Sequence, residues 1–363
     1  MRKAVCFFIV LPALLAVAAM AAPPGKEDAV PSSYHTRVMA YHDEQGHENP
    51  VRTPEDWRRR RREILAGFQA VAGPLPDRAN LPPLDIKITE EVKLDGTTRQ
   101  TIQFVGQKDA HRIPAYLYIP TPAPSGKKLP AILALHPTST LGKDEIAGKG
   151  KPNREYGLEL ARRGYVVLCP DYPSFGDYPC DFTDPQYASG TMLGIFNHMR
   201  CVDLLQSLPQ VDPQRIGVIG HSLGGHNAMF VALFDDRIKV IVSSCGWTPF
   251  ADYYAGKIAG WTSPRYMPRL RDVYHLDAQA VPFDFYEVVA AMAPRPFFSN
   301  SPLHDSNFDV TGVKKGIAEA RKVYALLHAG DAIQVRYPDC KHDFPPEIRE
   351  EAYAFLDAAL KPK

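Results

Sequence analysis

From residue 131 onward the chain alternates short, continuous apolar runs with longer stretches of helical character. The runs fall at 131–135, 165–169, 216–219, 240–242 and 297–298, with a last strand-like segment at 333–337. A strand with one wet face alternates apolar and polar residues, so uninterrupted runs suit strands covered on both faces. Between them lie helix-like segments at 155–163, 193–208, 224–233, 285–293 and 313–328. Strand and helix in turn, joined by short connections, predict an α/β fold: a mostly parallel, doubly wound sheet flanked by helices. Upstream, 86–89, 101–105 and 115–119 alternate as antiparallel strands do, and would open that sheet.

The N-terminal part follows other rules. Arg2 and Lys3 precede a mostly apolar stretch at 4–18, and Ala19-Met20-Ala21 offers a small-residue cleavage site, so 1–21 reads as a secretory signal. Its removal would change Lys+Arg 42 against Asp+Glu 41 into 40 against 41. No net field then draws nucleic acid or acidic lipid. The mature chain is expected in the periplasm or outside the cell, without stable membrane insertion. Cys169, Cys180, Cys201, Cys245 and Cys340 would remain, an odd number that leaves at least one thiol outside any internal disulfide scheme. Residues 22–85 read as an extension, with 22–50 a loose leader and a helix near 54–72. Thr53 caps that helix, Pro54 suits its first position and Glu55 its positive end. Trp57, Ile64, Leu65 and Phe68 share one face, and the basic run 58–62 is expected to be solvated.

The remaining span, 86–363, carries the chemistry. Gly220-His221-Ser222-Leu223-Gly224 follows one apolar run and precedes a helix. This G-x-S-x-G pattern at a strand-to-helix junction raises a serine hydroxyl above the sheet on a tight turn, with small neighbours making room. Ser222 is therefore the candidate nucleophile. A serine hydroxyl needs a base, and the base an orienting acid. His342 lies after the last strand and before a terminal helix starting near Pro346, and is the candidate base. The loop after 296–300 holds Asp305, the expected acid, and Asp309, its alternative. The N–H of Leu223 and that of Thr138 are the candidate oxyanion donors, since Pro137 has none to give. His136 is expected to brace that loop by hydrogen bonding.

With those residues on the page, the chain from about Glu90 onward resembles the α/β-hydrolase superfamily. It is most similar to the dienelactone-hydrolase and acetyl-xylan-esterase-like branch, which borders on the prolyl-oligopeptidase-type catalytic domains. The run Val211-Asp-Pro-Gln-Arg-Ile-Gly-Val-Ile-Gly-His-Ser-Leu-Gly-Gly carries the resemblance, together with Ala293-Pro-Arg-Pro-Phe, Asp305-Ser-Asn-Phe and His342-Asp-Phe. Asp171-Tyr172 with Phe175-Gly176 resembles the family's loop after its fourth strand. The resemblance implies Ser222, Asp305 and His342 as nucleophile, acid and base. His136-Pro137-Thr138 departs from the Gly-rich run common after the oxyanion-loop histidine, and Cys340-Lys341 from the small residues common before the last histidine.

A two-step acyl transfer through Ser222 needs no metal or organic cofactor, and the sequence offers neither a His/Glu metal signature nor a phosphate-binding loop. The expected substrate is a small-molecule or carbohydrate ester. Small peptides or amides are the alternative, as the same groups would serve a serine peptidase. A binding protein with a decayed site is a third reading, opposed by the intact order of serine, acid and histidine. Aromatic residues crowd 246–293, among them Trp247, Phe250, Tyr253, Tyr254, Trp261, Tyr266 and Phe285. This stretch is expected to wall the pocket or form a small lid, or else to pack as ordinary core.

Overall fold

The computed structural model describes residues 35–107, 111–122, 126–183 and 186–361. The signal segment expected at 1–21 lies outside them. Among the described residues a small hairpin comes first, β1 (Ala40–His42) pairing antiparallel with β2 (Glu48–Pro50). The stretch expected to be loose up to residue 50 is thus folded at its end. Strands of three residues are too short to show any period in sequence.

The helix α1 (Pro54–Ala72) follows, with the anticipated cap. Thr53 Oγ1 accepts from the Asp56 N–H at 3.1 Å, and Asp56 Oδ2 accepts from the Thr53 N–H at 3.0 Å. Reciprocal bonding of this kind satisfies two donors that a helix start leaves open. Trp57, Ile64 and Phe68 are buried, and the Phe68 ring lies 4.9 Å from that of Phe230 and 4.8 Å from that of Phe283. The helix approaches so closely at Gly67 that a Cβ there would stand 2.0 Å from the Pro282 carbonyl oxygen.

Among the described residues the main sheet has nine strands: β3 (Lys87–Leu94), β4 (Thr97–Val105), β5 (Arg112–Pro120), β6 (Leu129–Leu135), β7 (Val166–Pro170), β8 (Val211–His221), β9 (Ile238–Ser244), β10 (Phe297–Asn300) and β11 (Ile333–Arg336). Their order is β11-β10-β9-β8-β6-β7-β5-β4-β3. The first three run antiparallel to their neighbours, and the six from β6 onward are mutually parallel. Among the described residues, six further helices of seven residues or more lie between and after these strands: α2 (Tyr156–Arg162), α3 (Gly190–Ser207), α4 (Leu223–Phe234), α5 (Phe285–Ala291), α6 (Val310–Leu326) and α7 (Pro346–Leu360). In β6, Ala131, Leu133 and Leu135 join a core with residues of α1 and α3 to α6, whereas Ile132 and Ala134 join one with α2 and α7. The alternation along one strand, apolar on both sides, is the physical content of a doubly wound sheet. No helix among the described residues is long and apolar enough to cross a membrane.

The basic run of α1 departs from expectation. Arg58, Arg59 and Arg62 are exposed, but Arg60 is buried and pairs with Glu287 of α5, which also bonds His35 Nδ1 at 2.9 Å. Arg61 donates to the carbonyls of Ala291 and Leu233, each at 2.9 Å. Two of the five arginines therefore fasten the helix to the sheet-covering layer. Burial opposes the charge on Glu287, but Arg60 and His35 outweigh it and hold the carboxyl below its usual range. Replacing one member of a buried pair strands the other, so Glu287→Ala should cost about 3–5 kcal/mol in chemical denaturation.

Candidate active site

Ser222 ends β8 and begins α4 with φ 55° and ψ −114°. A non-glycine residue in that region stores strain, and surrounding packing must hold it there. The hold is visible on both sides. Ser222 N–H donates to the Ser244 carbonyl of β9 at 2.8 Å. A Cβ on Gly224 would stand 2.0 Å from the Leu135 carbonyl oxygen of β6, and one on Gly220 would stand 2.1 Å from that of Gly224. Any side chain at either position would push the turn off the sheet.

His342 stands on the irregular loop between β11 and α7, half-buried. Its Nδ1 lies 3.0 and 2.8 Å from the two carboxylate oxygens of Asp305, whose side chain is fully buried. Asp305 Oδ1 also accepts from the N–H groups of Asn307 and Phe308, at 2.8 and 3.2 Å. Both bonds fix the orientation of the carboxylate. Asp309, the alternative, instead caps α6 by accepting from the Thr311 N–H at 2.6 Å. Of the two acids in the loop, only Asp305 meets His342. Among the described residues no hydrogen bond joins the Ser222 hydroxyl to the His342 ring. The ring of His221, the neighbour of Ser222, lies 4.9 Å from that of His342, so the two elements meet at this point. Such catalytic bonds are often long without substrate and tighten on binding.

The loop carrying His342 is gripped through its neighbour Asp343. Arg154 Nη1 donates to Asp343 Oδ1 at 2.6 Å, and its Nη2 to the His342 carbonyl at 3.2 Å. Asn153 Nδ2 donates to the other Asp343 oxygen at 2.8 Å. From the sheet side, Asn300 Nδ2 donates to the Asp343 carbonyl at 2.9 Å and to Ser244 Oγ at 2.8 Å, and Ser244 Oγ in turn bonds His221 Nδ1 at 2.9 Å. One chain of contacts thus links the serine turn to the histidine loop. None of Arg154, Asn153 or Asn300 stands out in sequence, because none belongs to a motif. Burial drives the His221 imidazole well below its usual pKa, which keeps it neutral in this chain.

Leu223 opens α4, buried, and Thr138 lies across from it after β6. His136 braces that loop as expected: its Nε2 accepts from the Tyr172 N–H at 2.9 Å while Nδ1 meets the Pro137 carbonyl at 2.6 Å. A cavity of about 100 Å³ is lined by Ser222, Leu223 and Thr138 together with Tyr253, Trp261 and Tyr266. The aromatic stretch therefore divides. These three wall the cavity, Trp247, Phe250 and Phe285 are core, and Tyr254 is exposed and donates to Asn307 Oδ1.

The donor atoms of Cys245, Asp305 and His342 all lie within 4.8 Å of one another, a grouping that could in principle hold a metal ion. The residues fit that role poorly. The Cys245 thiol donates to the Asp343 carbonyl at 3.2 Å, and His342 Nδ1 is already seated on the Asp305 carboxylate, so all three groups are engaged with one another or with the backbone. All five described cysteines are free thiols.

An α/β hydrolase is the class that this fold and turn define. The model of the "Alpha/beta hydrolase family" matches residues 153–359, and the chain belongs to that family. "Putative hydrolase YtaP" of Bacillus subtilis (strain 168) is 30% identical over 300 residues, covering 79% of this chain and 96% of that protein. "Carbohydrate esterase MZ0003", from an unknown prokaryotic organism, is 24% identical over 340 residues, 80% of this chain and 78% of its own length. Among solved structures, the "Glucuronoyl Esterase from Solibacter usitatus" superposes with a TM-score of 0.69 at 22% identity, covering 89% of this chain and 97% of that one. That last likeness is one of fold.

The double grip on Asp343 makes a prediction for turnover. Asp343→Ala frees the loop beside His342 without touching the ring or Asp305. Misplacement by about 1 Å can cost about 10²-fold, so kcat should fall on that scale with KM little changed, measured by steady-state ester hydrolysis.

Proposed function

We propose that this chain is an exported serine hydrolase that cleaves carboxylic esters through an acyl-enzyme on Ser222, with acylated carbohydrates as its substrate class. The observation that carries this reading is His342 Nδ1 seated on the buried Asp305 carboxylate, on the same sheet edge as the strained Ser222 turn. Asp305 fixes the tautomer that leaves His342 Nε2 free to accept a proton. As Ser222 Oγ forms its bond to the ester carbonyl carbon, its proton passes to Nε2. The carbonyl oxygen gains the charge, met by the N–H groups of Leu223 and Thr138. Collapse breaks the bond to the leaving alcohol, which takes the proton from His342. Water then repeats the sequence on the acyl-enzyme, releasing the acid and restoring Ser222.

The carbohydrate ester is drawn from relatives, among them the carbohydrate esterase that matches 80% of this chain. Export follows from the pattern of residues 1–21. In this reading 22–85 is an extension and 86–363 the catalytic domain, with Tyr253, Trp261 and Tyr266 of the stretch 246–293 walling its pocket.

A fluorophosphonate probe should label the folded chain, and Ser222→Ala should abolish the labelling. Asp305→Asn should lower kcat by about 10⁴-fold, the scale on which loss of the orienting acid acts, whereas Asp309→Asn should leave kcat within about twofold. A folded wild type that takes no label would end the serine-hydrolase reading. Amide turnover far above that of short-chain esters would move it to the peptidase side.

A further inference from the structure

Thr138 stands in a loop that is fastened on both sides of it. Before it, His136 holds the peptide from which the Thr138 N–H projects. Burial keeps the His136 imidazole below its usual pKa, and so neutral. Its Nε2 accepts from the Tyr172 N–H, so Nδ1 carries the proton and donates to the Pro137 carbonyl. A trans peptide is planar, with its C=O and N–H pointing opposite ways. Pinning the Pro137 carbonyl therefore sets the direction of the Thr138 N–H. After Thr138, Ser139 Oγ donates to Glu145 Oε2 at 2.7 Å, and the Ser139 carbonyl accepts from the Gly142 N–H at 3.0 Å.

Thr138 itself is exposed, and a peptide pinned at its carbonyl can still tilt about that bond. Among the described residues, the hydrogen bond made by its side chain is with Tyr266. Thr138 Oγ1 and Tyr266 Oη lie 3.3 Å apart, and either hydroxyl can donate. Both residues line the cavity with Ser222 and Leu223. Tyr266 also packs against a small cluster of Tyr172, Phe175 and Leu223, which contains the other candidate oxyanion donor. Its own backbone is fixed. The Tyr266 N–H donates to the Ser263 carbonyl at 2.8 Å, and its carbonyl accepts from the Thr191 N–H of α3 at 3.1 Å. Buried Tyr172 ties the two segments together, giving its N–H to His136 and its hydroxyl to the Arg265 carbonyl at 2.7 Å.

We infer that Tyr266 is a positioning residue for the oxyanion site: its phenol holds Thr138 by the side chain and so keeps the Thr138 N–H aimed at the oxygen that gains charge. This rests on the reading of Ser222 given above and deepens it. A Gly-rich loop at this place would offer several N–H groups, whereas Pro137 has none to give. The loop therefore depends on one donor, and the aim of that donor matters. Tyr266 acts through Thr138 and makes no bond to the reacting atoms in this scheme. Because the oxyanion exists only in the tetrahedral state, the contribution of Tyr266 falls on turnover and not on substrate binding.

A double-mutant cycle on the full chain, read by steady-state hydrolysis of a short-chain aryl ester, tests this. Tyr266→Phe keeps the ring and removes the hydroxyl, while Thr138→Val keeps the N–H and the shape and removes Oγ1. Each should lower kcat about tenfold with KM within about twofold, less than the roughly 10²–10³ that loss of a whole donor costs. Combined, they should lower kcat no further than either alone, since both cut the same bond. Thr138→Ser retains a hydroxyl and should keep kcat within about threefold of wild type. Losses that multiply in the double variant would overturn the inference. So would a raised KM at unchanged kcat in Tyr266→Phe, or unchanged kinetics in both single variants. If Tyr266→Phe does not fold, Thr138→Val against Thr138→Ser decides, and equal kcat in the two overturns the inference. A folded wild type that takes no fluorophosphonate label and turns over no ester would instead sink the serine-hydrolase reading on which it stands.

Discussion

Everything in the candidate site hangs on one backbone constraint, the left-handed turn at Ser222. The chain leaves β8 in the middle of the sheet, reverses within one residue and enters α4. Two close approaches make this possible, Gly224 against the end of β6 and Gly220 against Gly224 itself. The Ser222 N–H is spent on the carbonyl of Ser244, at the end of β9. The three central strands must therefore be in register before the serine can be raised. Strain at this turn is sustained by a closely packed surround, where Ile219, Val242 and Leu135 are all essentially inaccessible.

From the same β9 end, the constraint passes to the histidine. Ser244 Oγ contacts His221 on one side and Asn300 on the other, and Asn300 reaches the Asp343 carbonyl. The loop of His342 has no regular structure, yet its backbone is held from the sheet by Asn300 and from outside by Arg154. Arg349, itself clamped by Glu159 at 3.0 Å, adds a bond to the Phe344 carbonyl at 3.0 Å. Loop-borne groups gain precision only when their supports are rigid. Here the supports are two helices and two strands, and the loop inherits their rigidity.

Much of this was legible in the sequence, for a definite reason. Strands buried on both faces leave continuous apolar runs, so β6, β7, β9 and β10 stood out and the doubly wound order followed. The turn at Ser222 was legible because its steric demands force glycine at fixed positions. Asp305 and His342 were singled out by chain order, with Asp309 kept as the alternative acid because both stand in one loop, and the contact of Asp305 with His342 is a fact of the fold. Arg60 was misread as solvated. Its partner, Glu287, lies 227 residues away, and no local pattern records such a pair. The hairpin at 40–50 was missed because strands of three residues carry no period. Arg154 and Asn300 were invisible for the same reason as Arg60: their role is defined by contacts across the fold.

Charge is distributed in the molecule according to task. The ion pairs near the site stand behind its loops: Arg154 with Asp343, Arg349 with Glu159, and Lys143 with Asp171 under the turn that leads from β7. The cavity wall, by contrast, is neutral. In a partly desolvated space an extra charge acts at long range and strongly. A fixed ion in the wall would compete with Asp305 for influence over His342, and would bind solvent where the proposed ester enters. Confining charge to the supports leaves Asp305 as the one carboxylate in contact with the imidazole. In the mechanism proposed for Ser222, a neutral wall acts through hydrogen bonding and shape, which are short-ranged and leave the neighbouring proton transfer undisturbed.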